Sequence, residues 1–202
     1  MASYAAIAVV ANSIRGLLAN SVPAGQFIGA EFRLLRTQDF QDPSARPLLG
    51  LTVYLHRLEF NTLRRSLPPR VDEDGNRFRP STAVDLHFLI TAWGPSAEMQ
   101  MDLLGWAIRT LQDRPQLPAG LINRFSGDRP EQVFRDGEAI ELVGEILNAQ
   151  DFVNLWGNTL GNQQPSIGYV ARQVLIDSIT PMPDSGPVQT RQFEYAAPVA
   201  SS

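Results

Sequence analysis

Apolar residues recur along this chain with two alternating periods. Ile7, Val10, Ile14 and Leu17 fall at helical spacing, with Ser3 placed to cap, and predict a first helix. A Pro/Gly turn at Val22 to Gly25 follows. Ile28, Ala30, Phe32 and Leu34 then alternate with Glu31, Arg33 and Leu35, as a half-buried strand does. Asp42 to Pro47 breaks the pattern. A second strand carries Leu49, Leu51, Val53 and Leu55 on one face and Thr52, Tyr54 and His56 on the other. A third places Val84, Leu86, Phe88 and Ile90 together. Past Trp93-Gly94-Pro95, Ser96 can cap a helix whose stripe is Ala97, Met101, Leu104, Ile108 and Leu111. That helix stops before Pro115, and Pro115 to Pro130 reads as loop with at most a short turn. Ile140, Leu142 and Ile146 predict a fourth strand interrupted by Gly144. Asp151 to Leu160 predicts a short helix carrying Phe152, Leu155 and Trp156, and Ile167 to Asp177 a fifth strand. The order predicts an α+β fold, a single mixed, mostly antiparallel sheet of about five strands flanked by helices.

Two stretches do not fit either period. Asn61 to Thr82 holds Pro68, Pro69, Pro80, an Asp74-Gly75 turn signal, five Arg and three acids, and reads as a long polar excursion. From Ile179 onward, four prolines and the ending AAPVASS describe a tail that cannot build a core of its own. The expected organisation is therefore one α+β domain over residues 1–178 and an extended tail over 179–202.

Composition narrows the chemistry. At 202 residues a domain buries roughly 70% of its unfolded surface and needs no staple. Cysteine is absent, which removes disulfides, thiolate metal sites and a Cys nucleophile. A net charge of -4 argues against a protein that binds nucleic acid by neutralising phosphates. Ala5 to Ala11 is apolar, yet the first cation is Arg15, on the wrong side for a secretory signal. No stretch approaches the apolar length of a membrane span.

Catalysis has no evident address. The nucleophile elbow, phosphate loop, dinucleotide fingerprint and zinc-protease motif are all missing. Asp85 and His87 share a strand face and could orient a metal or a water, but they lack a third ligand. The simpler reading is hydrogen bonding at the sheet surface or between subunits. Glu141 and Glu145 mark a solvated or interfacial strand face. Arg57, Arg64, Arg65, Arg70, Arg77 and Arg79 concentrate positive charge, either as a solvated loop balanced by Asp72, Glu73 and Asp74 or as a dock for acidic partner loops. Trp93, Trp106 and Trp156 suit core or subunit-interface anchors.

The run Leu48 to Arg79 and the segment Ala83 to Trp93 together resemble the tail-terminator or cap proteins of contractile injection systems, the family of the N-terminal domain of the Photorhabdus virulence cassette and antifeeding-prophage caps. The residues that carry the resemblance are Val53, Tyr54, Leu55, Arg57, Glu59, Asn61 and Arg65, then Leu86, His87, Leu89, Thr91 and Ala92. It continues through Pro115, Leu117 and Pro118, Leu155 and Trp156, and the closing strand Tyr169 to Ser178. It implies a structural protein without enzymatic activity or cofactor: a homohexameric ring that closes the baseplate-distal end of the tube and sheath of a phage-tail-like particle. The implied partners are copies of itself, the inner tube protein and the sheath protein, with no nucleic acid and no membrane. The particle is assembled in the cytoplasm and then kept there or released. Taken with the resemblance, Arg57, Glu59, Asn61, Arg64, Arg65, His87 and Trp156 are the residues expected to meet partners. A phage tail-completion or connector protein is the neighbouring alternative, and a metal-dependent hydrolase around Asp85 and His87 the distant one.

Overall fold

The computed structural model describes residues 4–64, 67–72, 74–127, 132–157 and 163–183. Helix α1 (Ala6–Asn20) leads into strand β1 (Glu31–Leu34), a 3-10 turn (Thr37–Phe40) and β2 (Gly50–Phe60). A second 3-10 turn (Thr62–Arg64), a hairpin of β3 (Arg70–Val71) and β4 (Arg77–Phe78), and β5 (Thr82–Trp93) follow. Then come α2 (Ala97–Gln112), β6 (Gln116–Pro118), α3 (Ala119–Ile122), β7 (Ala139–Glu145), α4 (Ala149–Gly157) and β8 (Ser166–Ile176). Six strands form one sheet in the order β1-β2-β5-β8-β7-β6, with β3 and β4 as a separate pair. Strand β1 runs parallel to β2 and every other pairing is antiparallel. The α+β class and the mostly antiparallel sheet agree with the sequence. The strand count differs: β6 completes six strands, and the hairpin adds two more.

One face of the sheet is apolar from edge to edge. Leu51 and Val53 of β2, Val84, Leu86, Phe88, Ile90 and Ala92 of β5, and Tyr169, Ala171 and Val174 of β8 are all buried there. Val9, Val10, Ile14, Leu17 and Leu18 of α1 cover them, with Leu103, Ala107 and Leu111 of α2 and Ile122 of α3. This is the face that the two strand stripes predict. Gly50 opens β2 at φ 141°, and a Cβ there would lie 1.9 Å from the Glu31 carbonyl oxygen, so only glycine lets β1 pair at this point.

The opposite face is covered in part. Leu35, Phe40, Leu89, Trp93 and Trp156 form a second, smaller cluster with Tyr54, Leu147 and Phe152. The ring of Phe40 packs edge-on against Trp156 at 5.6 Å and against Tyr54 at 5.2 Å. Trp93 Nε1 donates to Thr52 Oγ1 (2.9 Å), so the indole is satisfied inside the cluster.

Several expectations change in the folded chain. The first strand is only four residues long, and Ile28 is 82% exposed rather than half-buried. The stripe drawn on α2 is turned: Leu103, Ala107, Thr110 and Leu111 are buried, while Met101 and Ile108 face outward. The reason is competition between two apolar ridges. The winning side adds Trp106, which meets Phe27 at 5.7 Å and Phe32 at 5.9 Å and so removes the larger area from water. Ser96 does cap α2, accepting from the Met99 N–H. Ser3 lies outside the described residues, and α1 has Ala5 at its N-cap, with no side-chain cap. Residues 116–125 are not plain loop but hold β6, α3 and a 3-10 turn. Ile146 lies past the end of β7 and is 97% exposed.

The polar excursion is tied down. The Asp177 carboxylate accepts from Arg135 Nη2 (2.6 Å) and Ser81 Oγ (2.6 Å) and lies 3.8 Å from Arg70 Nε. Arg70 itself is buried with its guanidinium 4.0 Å over the Phe78 ring. At the start of the expected tail, Arg79 N–H donates to Thr180 O (3.0 Å) and Met182 N–H to Arg77 O (2.8 Å), which docks the backbone onto β4.

Candidate functional site

Beyond the small apolar cluster, the second face of the sheet turns polar. The cause lies in two bulges. Strand β2 slips register at His56, so that Leu55 pairs with Phe88 and Arg57 with His87. The extra residue leaves His56 on the face that the strand pattern gives it and brings Arg57 round to the same face. Strand β8 slips opposite Asp85, where Gln173 takes φ 56°, a left-handed conformation rare outside glycine. The Gln173 N–H donates to Asp85 Oδ1 (2.8 Å), which holds the bulge.

Four strands meet at the first bulge. Arg57 Nη2 donates to Glu145 Oε1 (2.7 Å) at the end of β7, while His87 Nδ1 lies 2.8 Å from the same oxygen and 3.1 Å from Arg57 Nη2. Nδ1 can donate to the carboxylate or accept from the guanidinium, but not both at once. Glu59 stands 3.4 Å from Arg57 Nε and 3.6 Å from His87 Nε2. His56 Nε2 lies 3.9 Å from Glu145 Oε2. The side chains of His56, His87 and Glu145 are 6, 9 and 14% exposed, whereas Arg57 and Glu59 are 43 and 53% exposed, so the cluster has a buried inner part and a solvated rim. Glycine at 168 makes room for it on β8, since a Cβ there would lie 3.0 Å from the Glu145 carbonyl oxygen and 3.1 Å from the Leu147 side chain.

The cluster is incompletely satisfied. His56 Nε2, His87 Nε2 and Glu145 Oε2 are buried without a hydrogen-bond partner among the described residues. Burial holds the His56 pKa below its ordinary value of 6.5, opposed by the nearby Glu145 carboxylate and reinforced by Arg57 and His87. His56 is therefore held toward its neutral form.

The expected partner-binding residues fall into separate places. Arg57, Glu59 and His87 come together in the cluster. Asn61 is next to it but differently employed: its Nδ2 donates to both Asp85 oxygens (3.1 and 3.0 Å) and its Oδ1 accepts from the Leu63 and Arg64 N–H groups (3.1 Å each). It acts as the hinge-pin of the 3-10 turn. Arg64 is exposed and overhangs a shallow cleft with Glu141 and Arg172. Arg65 lies outside the described residues. Trp156 sits in the apolar cluster, 2% exposed, with its ring against Phe40 and Phe152. The side chain of Leu155 also lies outside the described ones.

Glu145 and His56 are the members that sequence reasoning did not select. Glu145 reads as a solvated strand-end acid because its partners come from strands distant in sequence, and a bulge has no signature in a single chain. Asp85 and His87 share a face as expected, but they serve different neighbours. Among the described residues no three His, Asp or Glu side chains come together as metal ligands. The arrangement can clamp strands and present charge. Its ionisable groups bond chiefly to one another.

Residues 9–190 match the family model described as the Pvc16 N-terminal domain. A search among curated proteins gives no match. Two cryo-electron microscopy structures share the fold. One is the sheath/tube terminator, in the extended state, of an extracellular contractile injection system (PVC), at 14% identity and TM-score 0.60 over 96% of this chain and 65% of that one. The other is the anti-feeding prophage (AFP) tube-terminating cap, at 15% identity and TM-score 0.56 over 92% of this chain and 60% of that one. This chain thus spans 65% and 60% of the length of these two proteins, and at such identities the likeness is one of fold.

Proposed function

The chain belongs to the Pvc16 N-terminal domain family, and from that premise we propose that it is a structural cap of a contractile injection particle, acting as a homohexameric ring that closes the baseplate-distal end of tube and sheath. The observation that carries this reading is the agreement in fold, over nearly the whole chain, with a sheath/tube terminator and a tube-terminating cap. Mechanism here is geometry. A ring that offers a tube-like face on one side and no polymerising face on the other stops growth, because the next subunit finds no surface to add to. The work is done by interface burial, without chemistry or cofactor. Residues 1–178 form the ring-building domain, and the tail 179–202, beyond the stretch docked on β4 through Thr180 and Met182, wraps a neighbour on assembly. The partners are the chain itself, the tube protein and the sheath protein. Assembly takes place in the cytoplasm, and among the described residues no helix is long and apolar enough to cross a membrane.

Deleting the gene in a particle-producing strain tests the proposal. Expected are tube and sheath subunits that are made but give particles that are absent, unstable or of uncontrolled length in negative-stain images. Normal lengths with closed ends would reject the cap and favour a connector role. Native mass spectrometry of the purified chain reads the six-fold state separately.

A further inference from the structure

Two apolar corners of the molecule stay open, and they differ in kind. At the far end of β2, beyond Val53 where β1 stops covering its outer edge, Leu58, Phe60 and Leu63 are 41, 73 and 87% exposed. No strand lies along that outer edge among the described residues, so it offers unpaired backbone groups as well as apolar side chains. At the other corner, Met101 and Ile108 on the outward ridge of α2 are 66 and 41% exposed, and Ile146 past β7 is 97% exposed. Ile108 and Ile146 border a cleft of about 430 Å³ walled by Ile167 and Tyr169.

The strand register sets these corners diagonally apart. Phe60 pairs with Val84 near one end of β5, whereas Thr91 pairs with Ser166 near the other, and β2 and β7 are three strand spacings apart in the sheet order. By strand geometry the separation is roughly 25–30 Å, so neither corner can cover the other within one chain. Glu59 and Arg109 are held in ion pairs within the chain, and the unpaired charges that accompany the two corners are opposite. Arg64 and Arg79, on the turn after β2 and the segment after β4, are exposed and have no ion-pair partner among the described residues. Glu98 and Asp102, on α2, are likewise exposed and unpaired there. A contact of each corner with its own kind would bring like charges together, whereas a contact between unlike corners pairs apolar with apolar and cation with carboxylate, and repeated head to tail it closes a ring.

We infer that the β2 corner of one copy seats in the α2–β7 corner of the next copy, and that this is the repeating contact of the ring. The inference rests on the ring reading above and adds to it which surfaces meet.

The chain has no cysteine, so introduced thiols report without background. Leu63→Cys and Ile146→Cys proteins are prepared separately and together in one chain, and treated with a short bis-maleimide linker that tolerates several ångströms of misplacement. A mixture of the two single variants gives a linked dimer, each single variant alone gives none, and the double variant gives a ladder that ends at the closed ring. Arg64→Glu weakens association by roughly tenfold or more, and Asp102→Arg in the same chain restores it. A circular-dichroism melt confirms that each variant is folded. Self-linking of either single variant shows a two-fold contact and overturns the inference. A ring seen by native mass spectrometry without any link, or a loss at Arg64→Glu that Asp102→Arg does not restore, overturns these surfaces and leaves the ring reading standing. A chain that stays monomeric at every concentration removes both.

Discussion

The two faces of strand β5 are buried to similar depth by different means. Toward the helices, Val84, Leu86, Phe88, Ile90 and Ala92 are each no more than 2% exposed, and nothing there needs a hydrogen bond. On the other side, the same twelve-residue strand presents Asp85, His87, Leu89, Thr91 and Trp93, so the face changes from charged to apolar along its length. Burial alone does not separate them, since Leu89 is as deeply covered as Phe88 is, to within 2%. What separates them is the cost of a mistake. On the apolar face a lost methyl leaves a cavity, while on the polar face a lost partner leaves a buried donor or charge without compensation. The first face stores stability. The second fixes register, because only one alignment of β2, β5, β8 and β7 brings Arg57, His87 and Glu145 together.

The largest expected effect lies on the helix-covered face. Phe88→Ala should cost about 3–5 kcal/mol of unfolding free energy in urea titration, the range for an aromatic lost from a packed core. Next comes Asp85→Ala at about 2–3 kcal/mol, because it leaves the Asn61 amide and the Gln173 N–H without their acceptor. The same variant should raise hydrogen exchange at Gln173, whose left-handed backbone is held by that bond. Leu89→Ala follows at about 2 kcal/mol, since the small cluster around it can relax more readily than the main core. If Leu89→Ala matched Phe88→Ala, the two faces would be equivalent stores of stability and the contrast would fail.

The sequence predicts one of these faces far better than the other. The helix-covered face is written as period: Leu51, Val53 and Leu55, then Val84, Leu86, Phe88 and Ile90, alternate without interruption, and α1 answers them at helical spacing. The polar face is not periodic, because its geometry depends on extra residues at His56 and beside Gln173 that shift the alternation. The resemblance pointed to Arg57, Glu59 and His87, which do converge. It could not supply Glu145, which arrives from a strand 88 residues later in the chain. The turned face of α2 shows a related limit: two ridges were both apolar, and only the aromatic contacts of Trp106 with Phe27 and Phe32 decide between them. The docked backbone at Thr180 and Met182 was hidden because it relies on main-chain bonds, which carry no side-chain signature.

A smaller effect should appear on acidification. Burial holds the folded His56 pKa below 6.5, so as pH falls the unfolded chain takes up its proton first. The corresponding stability is present above pH 6.5, is lost as pH drops below it, and stops changing once the folded value is passed. The lowered carboxyl groups of Asp39, Asp42, Asp72 and Asp113 act in a separate, more acidic window, below their ordinary 3.8. His56→Gln should therefore reduce the drop in melting temperature between about pH 7.5 and about pH 5.5. An unchanged drop would place the titrating group elsewhere.

The smallest expected change is the most informative about the polar face. Replacing Arg57, His87 and Glu145 together by Met, Leu and Leu removes every charge of the inner cluster at similar volume. Buried ionic clusters recover little more than they lose in desolvation, and Arg57 is 43% exposed, so the monomer's unfolding free energy should shift by no more than about 1 kcal/mol. Arg57→Met alone should cost more than the triple replacement, because Glu145 then keeps its charge, only 14% exposed, with no guanidinium beside it. The two variants are compared by urea titration of the monomer. If the triple variant lost stability on the scale of Phe88→Ala, the cluster would be a store of folding energy after all. If instead it folds normally but its strands exchange hydrogens faster around the β2 bulge, the cluster holds register, and the two faces of the sheet divide stability from alignment.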